Sequence, residues 1–275
     1  MEPFVKWAGG KRQLLEKLNA RLPVRGYNRY FEPFLGAGAF WLDLRPEISI
    51  VNDINEQLMN CYQVIKDDPR GLIRKIDGLD HGKRDLDGYL ANRSRYNDKI
   101  LAGDLDTEMA ALLIWLNKNC FNGLYRTNKK GLFNVPFNGK LIGKSIDETN
   151  IMNISYFLNH SNITLMCQDF EEVCRNCEPG DFIFFDSPYV PVSDTAGFVD
   201  YTKESFKEED HIRLANLYRE LTNRGCYCLL TNSNTDFVRE LYQDFEITEV
   251  NVNRAINSDP KKRKGKEVIV TNYEY

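Results

Sequence analysis

Asp186 ends an apolar run. In "DFIFFDSPYVP" (181–191) Phe182, Ile183, Phe184 and Phe185 lead into Asp186, and Ser187, Pro188 and Tyr189 follow at once. A strand stopping at a turn accounts for Asp and Pro, because proline cannot continue a central ladder. The chemical alternative is a site at the carboxyl end of a buried strand, where open α/β sheets hold ligands. A second cluster lies upstream. "EPFLGAGAF" (32–40) carries Glu32, Pro33, Gly36 and Gly38 after an apolar segment, and "ISIVND" ends in Asp53. Glycines after a strand allow a tight turn and close approach of a ligand. An acid at the end of the second strand stands where such folds reach a ribose hydroxyl. Trp41 occupies the place of the third glycine of the dinucleotide fingerprint. That disfavours a pyrophosphate and leaves a single nucleoside open, S-adenosylmethionine among them.

"WAGGKR" (7–12) is not a phosphate loop, since Arg12 follows Lys11 where Ser or Thr must hold magnesium. Trp7 and Lys11 still offer a stacking face and a cation. Cys174 and Cys177 form a C-x-x-C, which reads as a redox pair or half a zinc site. There is no second C-x-x-C, and His81, His160 and His211 are isolated, so ordinary reduced thiols and no metal are expected.

The elements that must position these residues follow from patterning. The chain has 275 residues, 42% hydrophobic and 28% charged, which is the composition of a globular protein. No signal peptide or membrane span is expected, and an intracellular, cytoplasmic place follows. The net charge of −4 argues weakly against nucleic acid, yet the cations cluster. Lys6, Lys11, Arg12, Lys17, Arg21, Arg25 and Arg29 fall in the first thirty residues; Arg126, Lys129, Lys130, Lys140 and Lys144 form a second group; "KKRKGK" (261–266) is a third. Strands are expected at "RYFE", "ISIVND", "NITLMC", "DFIFFD", "CYCLLTN", "FEITEVNV" and "KEVIVTNYE", the last two pairing antiparallel around a basic loop. Helices are expected at 56–66, 86–101, 107–119, 170–177, 205–224 and 235–243, with loop or hairpin at 120–140. The expectation is an α/β Rossmann-like sheet over 1–66 and 150–275, interrupted by a mainly helical insertion over 67–149.

Six blocks in order carry a resemblance that spans nearly the whole chain: "FVKWAGGKRQLL", "RYFEPFLGAGAF", "VNDINEQLMNCYQ", "CFNGLYRTNKKGLFNVPF", "DFIFFDSPY" and "EVIVTNY". Together they resemble the Dam-type DNA adenine-N6 methyltransferases that methylate GATC. The resemblance implies a SAM-dependent fold with the insertion as target-recognition part. It implies that Trp7, Lys11, Asp53 and Asp186 bind S-adenosylmethionine, with Glu32, Pro33, Gly36 and Gly38 around it and Asp169 near its adenine. Asp186 and the backbone at Ser187, with Pro188 and Tyr189, would hold a flipped adenine. Lys6, Asn122, Leu124, Arg126 and Asn134 match residues facing bases or phosphates, and Lys261, Lys262, Arg263 and Lys264 suit backbone contacts. Double-stranded DNA is the expected partner, a monomer the expected form, and a cognate restriction endonuclease a functional counterpart.

The family pattern D-P-P-Y has proline where this chain has Ser187, and the expected consequence is a slower enzyme rather than a dead one. The segment after "FNVPF" reads "NGKLIGKS" without the tyrosine common in GATC relatives, so contacts from that loop do not carry over. Competing readings are N4-cytosine methylation, which suits the same tetrapeptide, and a DNA-binding scaffold that has lost turnover. A protein-glutamine methyltransferase is disfavoured by Asp rather than Asn at 186, and a dinucleotide oxidoreductase by the missing glycine.

Overall fold

A computed structural model describes residues 1–140, 143–191, 206–253 and 264–275. Its strands are β1 (Tyr30–Glu32), β2 (Ile48–Asn52), β3 (Asn162–Met166), β4 (Phe182–Phe185), β5 (Tyr227–Ser233), β6 (Glu246–Asn253) and β7 (Lys264–Thr271). They form one sheet in the order β3-β2-β1-β4-β5-β7-β6. The first five run parallel, and β7 is antiparallel to both neighbours. From β1 the chain steps outward to β2 and β3, then returns to β4 on the other side of β1. The carboxyl ends of β1 and β4 therefore flank the topological switch point, where a parallel sheet opens a crevice.

Burial on both faces explains why β4 is continuously apolar. Phe182 and Phe184 pack with Tyr30, Phe40 and Trp41 in one core, while Ile183 and Phe185 join Phe31, Tyr218 and Leu230 in the other. That is the two-residue alternation of a strand, with apolar side chains on both sides.

The helices are α1 (Leu15–Asn19), α2 (Ala39–Leu44), α3 (Glu56–Asp67), α4 (Pro69–His81), α5 (Leu86–Ala102), α6 (Thr107–Asn119), α7 (Glu148–His160), α8 (Phe170–Cys174), α9 (Glu208–Asn223) and α10 (Asp236–Leu241). Five of them, α3 to α7, lie between β2 and β3. The strands and the antiparallel β6–β7 pair agree with expectation. So do α3, α5 and α6, and the shorter α8, α9 and α10 fall inside their expected spans. The helices α1, α4 and α7 were not expected; α2 is the helix that the glycine turn opens. Antiparallel bridges Cys120↔Phe137 and Thr127↔Phe133 make the 120–137 segment a hairpin-like excursion. The loop with Lys261, Lys262 and Arg263 lies outside the described residues; Lys264 begins β7.

Asn52 ties three strand ends together. It is 1% exposed. Its Nδ2 donates to the carbonyls of Pro33 and Gln168 at 2.9 and 3.0 Å, and its Oδ1 accepts from the Gln168 N–H at 2.8 Å. Removing it leaves buried backbone groups unpaired. Asn52→Ala is expected to destabilise the fold by about 3 kcal/mol. Urea denaturation checks this, and a loss below about 1 kcal/mol would show the latch to be dispensable.

Candidate active site

Asp186 sits one residue past β4, with its side chain 19% exposed. Its Oδ1 accepts from the Thr231 hydroxyl at 2.9 Å and lies 2.6 Å from the Lys11 ammonium. Both bonds fall on Oδ1, and Oδ2 takes part in neither. Lys11 begins the short 3-10 helix at Lys11–Leu14 and is only 4% exposed. Its Nζ also donates to the Gly9 carbonyl and lies 4.6 Å from the centre of the Tyr189 ring. Burial pushes the Asp186 carboxyl above its ordinary value, and the Lys11 ammonium with the Thr231 hydroxyl opposes that push. The Tyr189 hydroxyl donates to Glu267 Oε2 at 2.9 Å. Burial, followed by the nearby Asp186 and Glu267 charges, holds the phenol well above its ordinary value.

Across the switch point, β1 ends at Glu32. This carboxyl is 2% exposed and accepts from the Tyr30 hydroxyl at 2.6 Å. Burial raises its pKa well above the usual carboxylate range, and the Asp186 charge adds to the rise. Pro33 follows, buried. Gly36 and Gly38 have φ of +51° and +64°, the left-handed region that favours glycine. A Cβ at Gly36 would lie 2.9 Å from Trp7 Cδ1, and one at Gly38 the same distance from the Tyr62 hydroxyl. Two bonds fasten this turn: Gly36 N–H donates to Asp53 Oδ2 at 2.8 Å, and Tyr62 OH donates to the Gly36 carbonyl at 3.0 Å. The other Asp53 oxygen accepts from the Asn55 N–H at 2.9 Å. Burial raises the Asp53 pKa while these two backbone bonds pull it down. Ile54, beside it, is 61% exposed.

Thus Trp7, Lys11, Glu32, Pro33, Gly36, Gly38, Asp53, Asp186 and Tyr189 gather at the carboxyl ends of β1, β2 and β4. Asp169 follows Gln168, which Asn52 ties to the end of β2. It caps α8 by accepting from the Glu171 N–H, and pairs with Arg213 at 3.0 Å.

The residues expected at DNA form a second group, joined to the first through Trp7, which stacks on Tyr125 at 5.0 Å and 24°. Asn117 on α6 accepts from the Lys6 N–H at 2.8 Å and donates to the carbonyls of Lys6 and Gly123 at 2.9 and 3.0 Å. Lys6 is exposed and its methylenes cover Gly123, where a Cβ would meet Lys6 Cδ at 2.4 Å. The neighbouring Asn122 is exposed with φ +56°, and Leu124 is half-buried. Arg126 Nε donates to Asn134 Oδ1 at 2.7 Å, which orients both side chains.

Sequence reasoning missed Thr231, Asn232, Glu267, Asn117 and Tyr125. For Thr231 and Asn232 a signal existed: polar residues ending the apolar strand "CYCLLTN", the cue that had singled out Asp53 and Asp186.

This arrangement offers the glycine turn and Asp53, bonded to each other, as one face for a nucleoside, and can place a carboxylate and an aromatic ring against an amine. Comparison with known proteins identifies the class. The profile of the D12 class of N6 adenine-specific DNA methyltransferases matches residues 7–256. The chain belongs to this family. It is 39% identical over 99% of its length to the type II methyltransferase M1.LlaDCHI of Lactococcus lactis subsp. cremoris, covering 96% of that protein. It is 41% identical over 99% of its length to the type II methyltransferase M.MjaIII of Methanocaldococcus jannaschii, covering 99%. A DNA adenine methylase of Haemophilus influenzae is 32% identical over 97% of the chain and 92% of that protein. The recognised resemblance and the activity class it implied are those of the family.

All seven cysteines are free, and six are buried. Among the described residues no His, Cys, Asp or Glu cluster is arranged to hold a metal ion. Nor is any described helix long and apolar enough to cross a membrane.

Proposed function

We propose that this D12-class methyltransferase transfers a methyl group from S-adenosylmethionine to N6 of adenine in double-stranded DNA, at GATC, after flipping the target base out of the helix. The observation that carries the reading is the Asp186 carboxylate at the switch point, bonded through one oxygen to Lys11 and Thr231, with Tyr189 beside it. In this reading residues 1–66 and 150–275 form the catalytic part and 67–149 the recognition part.

The cofactor suits the residues present. Asp53 presents a carboxylate beside a left-handed glycine turn, the complement of a ribose diol against closely approached backbone. When bound, S-adenosylmethionine supplies a methyl made electrophilic by its sulfonium charge. Trp7, Lys11, Glu32, Pro33, Gly36, Gly38, Asp53, Asp169 and Asp186 are the residues that would surround it. Adenine N6 is a weak nucleophile because its lone pair is delocalised into the ring. Asp186 Oδ2 and the carbonyl at Ser187 would accept its two N–H bonds, drawing the nitrogen toward tetrahedral geometry and freeing the pair. As the new N–C bond forms, positive charge grows on N6, and the carboxylate is placed to stabilise it and take the surplus proton. Pro188 keeps Ser187 extended. Tyr189 offers the flipped base a ring to stack on, offsetting an unstacking cost of a few kcal/mol, on the order of 2–4. Lys6, Asn122, Leu124, Arg126 and Asn134 would face the DNA, with Lys261, Lys262, Arg263 and Lys264 on its phosphates.

Lys11 has a testable electrostatic part. Asp186 must be ionised to stabilise the charge on N6 and take the surplus proton, and burial raises its pKa. Activity is therefore expected to fall as pH drops through a value above the usual aspartate one. Lys11→Met removes the charge that opposes the rise, so the acidic limb of the kcat profile is expected to move to higher pH. A limb that stays put or moves lower would remove Lys11 from this role.

The site is tested by digestion. Unmethylated plasmid incubated with the protein and S-adenosylmethionine is expected to resist a nuclease blocked by N6-methyladenine in GATC. Transfer of label into DNA without protection would discard GATC as the site.

A further inference from the structure

Where the family pattern has a proline, Ser187 is tied down by a hydrogen bond instead of a ring. Ser187 is 2% exposed and Asn232, on the adjacent β5, is 1% exposed. Asn232 Nδ2 donates to Ser187 Oγ at 3.3 Å, and Oδ1 accepts from the Val190 N–H at 3.1 Å and the Ser233 N–H at 2.8 Å. One side chain thus holds the second residue of Asp186–Tyr189 and the first residue beyond it. Its neighbour Thr231 holds Asp186.

A proline at 187 would fix its own φ and push Asp186 toward extended geometry. Serine does neither. We propose that Asn232 is a positioning residue that supplies this constraint as a clamp across the tetrapeptide, and that the Ser187 hydroxyl is its matched acceptor. Serine here is then a working part and not the handicap expected from sequence. Proline at 187 would remove the acceptor and leave a buried Asn232 N–H without a partner, a loss that the ring does not restore. The inference rests on reading Asp186–Tyr189 as the methyl-transfer loop.

The test compares kcat and both KM values for wild type, Ser187→Ala, Asn232→Ala, the double variant and Ser187→Pro, with S-adenosylmethionine affinity by calorimetry as a check of folding. Ser187→Ala is expected to lower kcat about fivefold, and Asn232→Ala, which also frees the Val190 N–H, about tenfold or more. The KM for S-adenosylmethionine should stay within about twofold, because Asp186 is the one cofactor residue in this loop and Thr231, not Asn232, holds it. The double variant should be no worse than Asn232→Ala alone, the non-additivity of a shared bond. Ser187→Pro should lower kcat as well. Should Asn232→Ala fail to fold, Ser187→Ala deletes the same bond with a smaller change. A higher kcat in Ser187→Pro, or additive losses in the double variant, would overturn the clamp while wild-type turnover keeps the functional reading intact. A wild-type chain that methylates no DNA would overturn that reading, and the clamp with it.

Discussion

Asp186→Asn is expected to reduce methyl transfer by about a thousandfold or more, with DNA affinity within about threefold of wild type. Asparagine keeps the shape but loses the negative charge, and it turns an NH2 group toward an amine that needs acceptors. Charge developing on N6 would then face a neutral dipole, and the surplus proton would have no carboxylate to meet. The substitution also strands Lys11, which is 4% exposed and 2.6 Å from Asp186. Breaking a buried pair by removing one partner costs about 3–5 kcal/mol. A drop in melting temperature is therefore expected alongside the lost activity. Combining Asp186→Asn with Lys11→Met separates the two effects: stability should recover, because no buried charge is left unpaired, and activity should not. If Asp186→Asn kept a tenth of wild-type turnover, or the double variant regained it, Asp186 would not be the amine acceptor.

Tyr189→Ala is expected to lower kcat/KM for duplex DNA by about 10- to 100-fold, because stacking of a base on an aromatic ring contributes roughly 1–3 kcal/mol. Tyr189→Phe keeps the ring and loses the hydroxyl, with its bond to Glu267 at 2.9 Å and its interaction with Thr231, so about a three- to tenfold loss is expected. The gap between the variants isolates the ring from the hydroxyl. A fluorescent purine at the target position reports the same step. Wild type and Phe should raise its emission on binding, and Ala should raise it less. Equal losses for Phe and Ala would assign the effect to the hydroxyl and its partners and not to stacking.

The sheet was legible because its signals are local. "FIFF" is apolar on both faces since β4 is covered on both, and the left-handed turn at Gly36 and Gly38 needs glycine wherever it occurs. Helix α4 escaped notice although Asp68 caps it and Pro69 starts it, because Gly71 and Gly78 weaken its helical propensity. At Gly71 a Cβ would meet the capping Asp68 carboxylate, which would have to shift. Helix α7 opens with Glu148, Thr149 and Asn150, poor helix formers apart from the first. Burial of Ile151, Ile154 and Leu158 decides in its favour. The candidate site divides in the same way. Asp53 and Asp186 announce themselves at strand ends. The groups that hold the loop after β4, Thr231, Asn232 and Glu267, lie 42 to 78 residues along the chain from their partners. Only the sheet order, with β5 beside β4 and β7 beside β5, brings them there. Lys11 reaches Asp186 across most of the chain, and neither residue's flanks announce the pairing.

The central claim is methylation of adenine N6, and the most direct measurement is mass analysis of nucleosides from unmethylated duplex DNA incubated with the protein and labelled S-adenosylmethionine. Label in N6-methyladenine, lost in Asp186→Asn, is the predicted result. Label in N4-methylcytosine, or tight DNA binding with no labelled nucleoside, would contradict it.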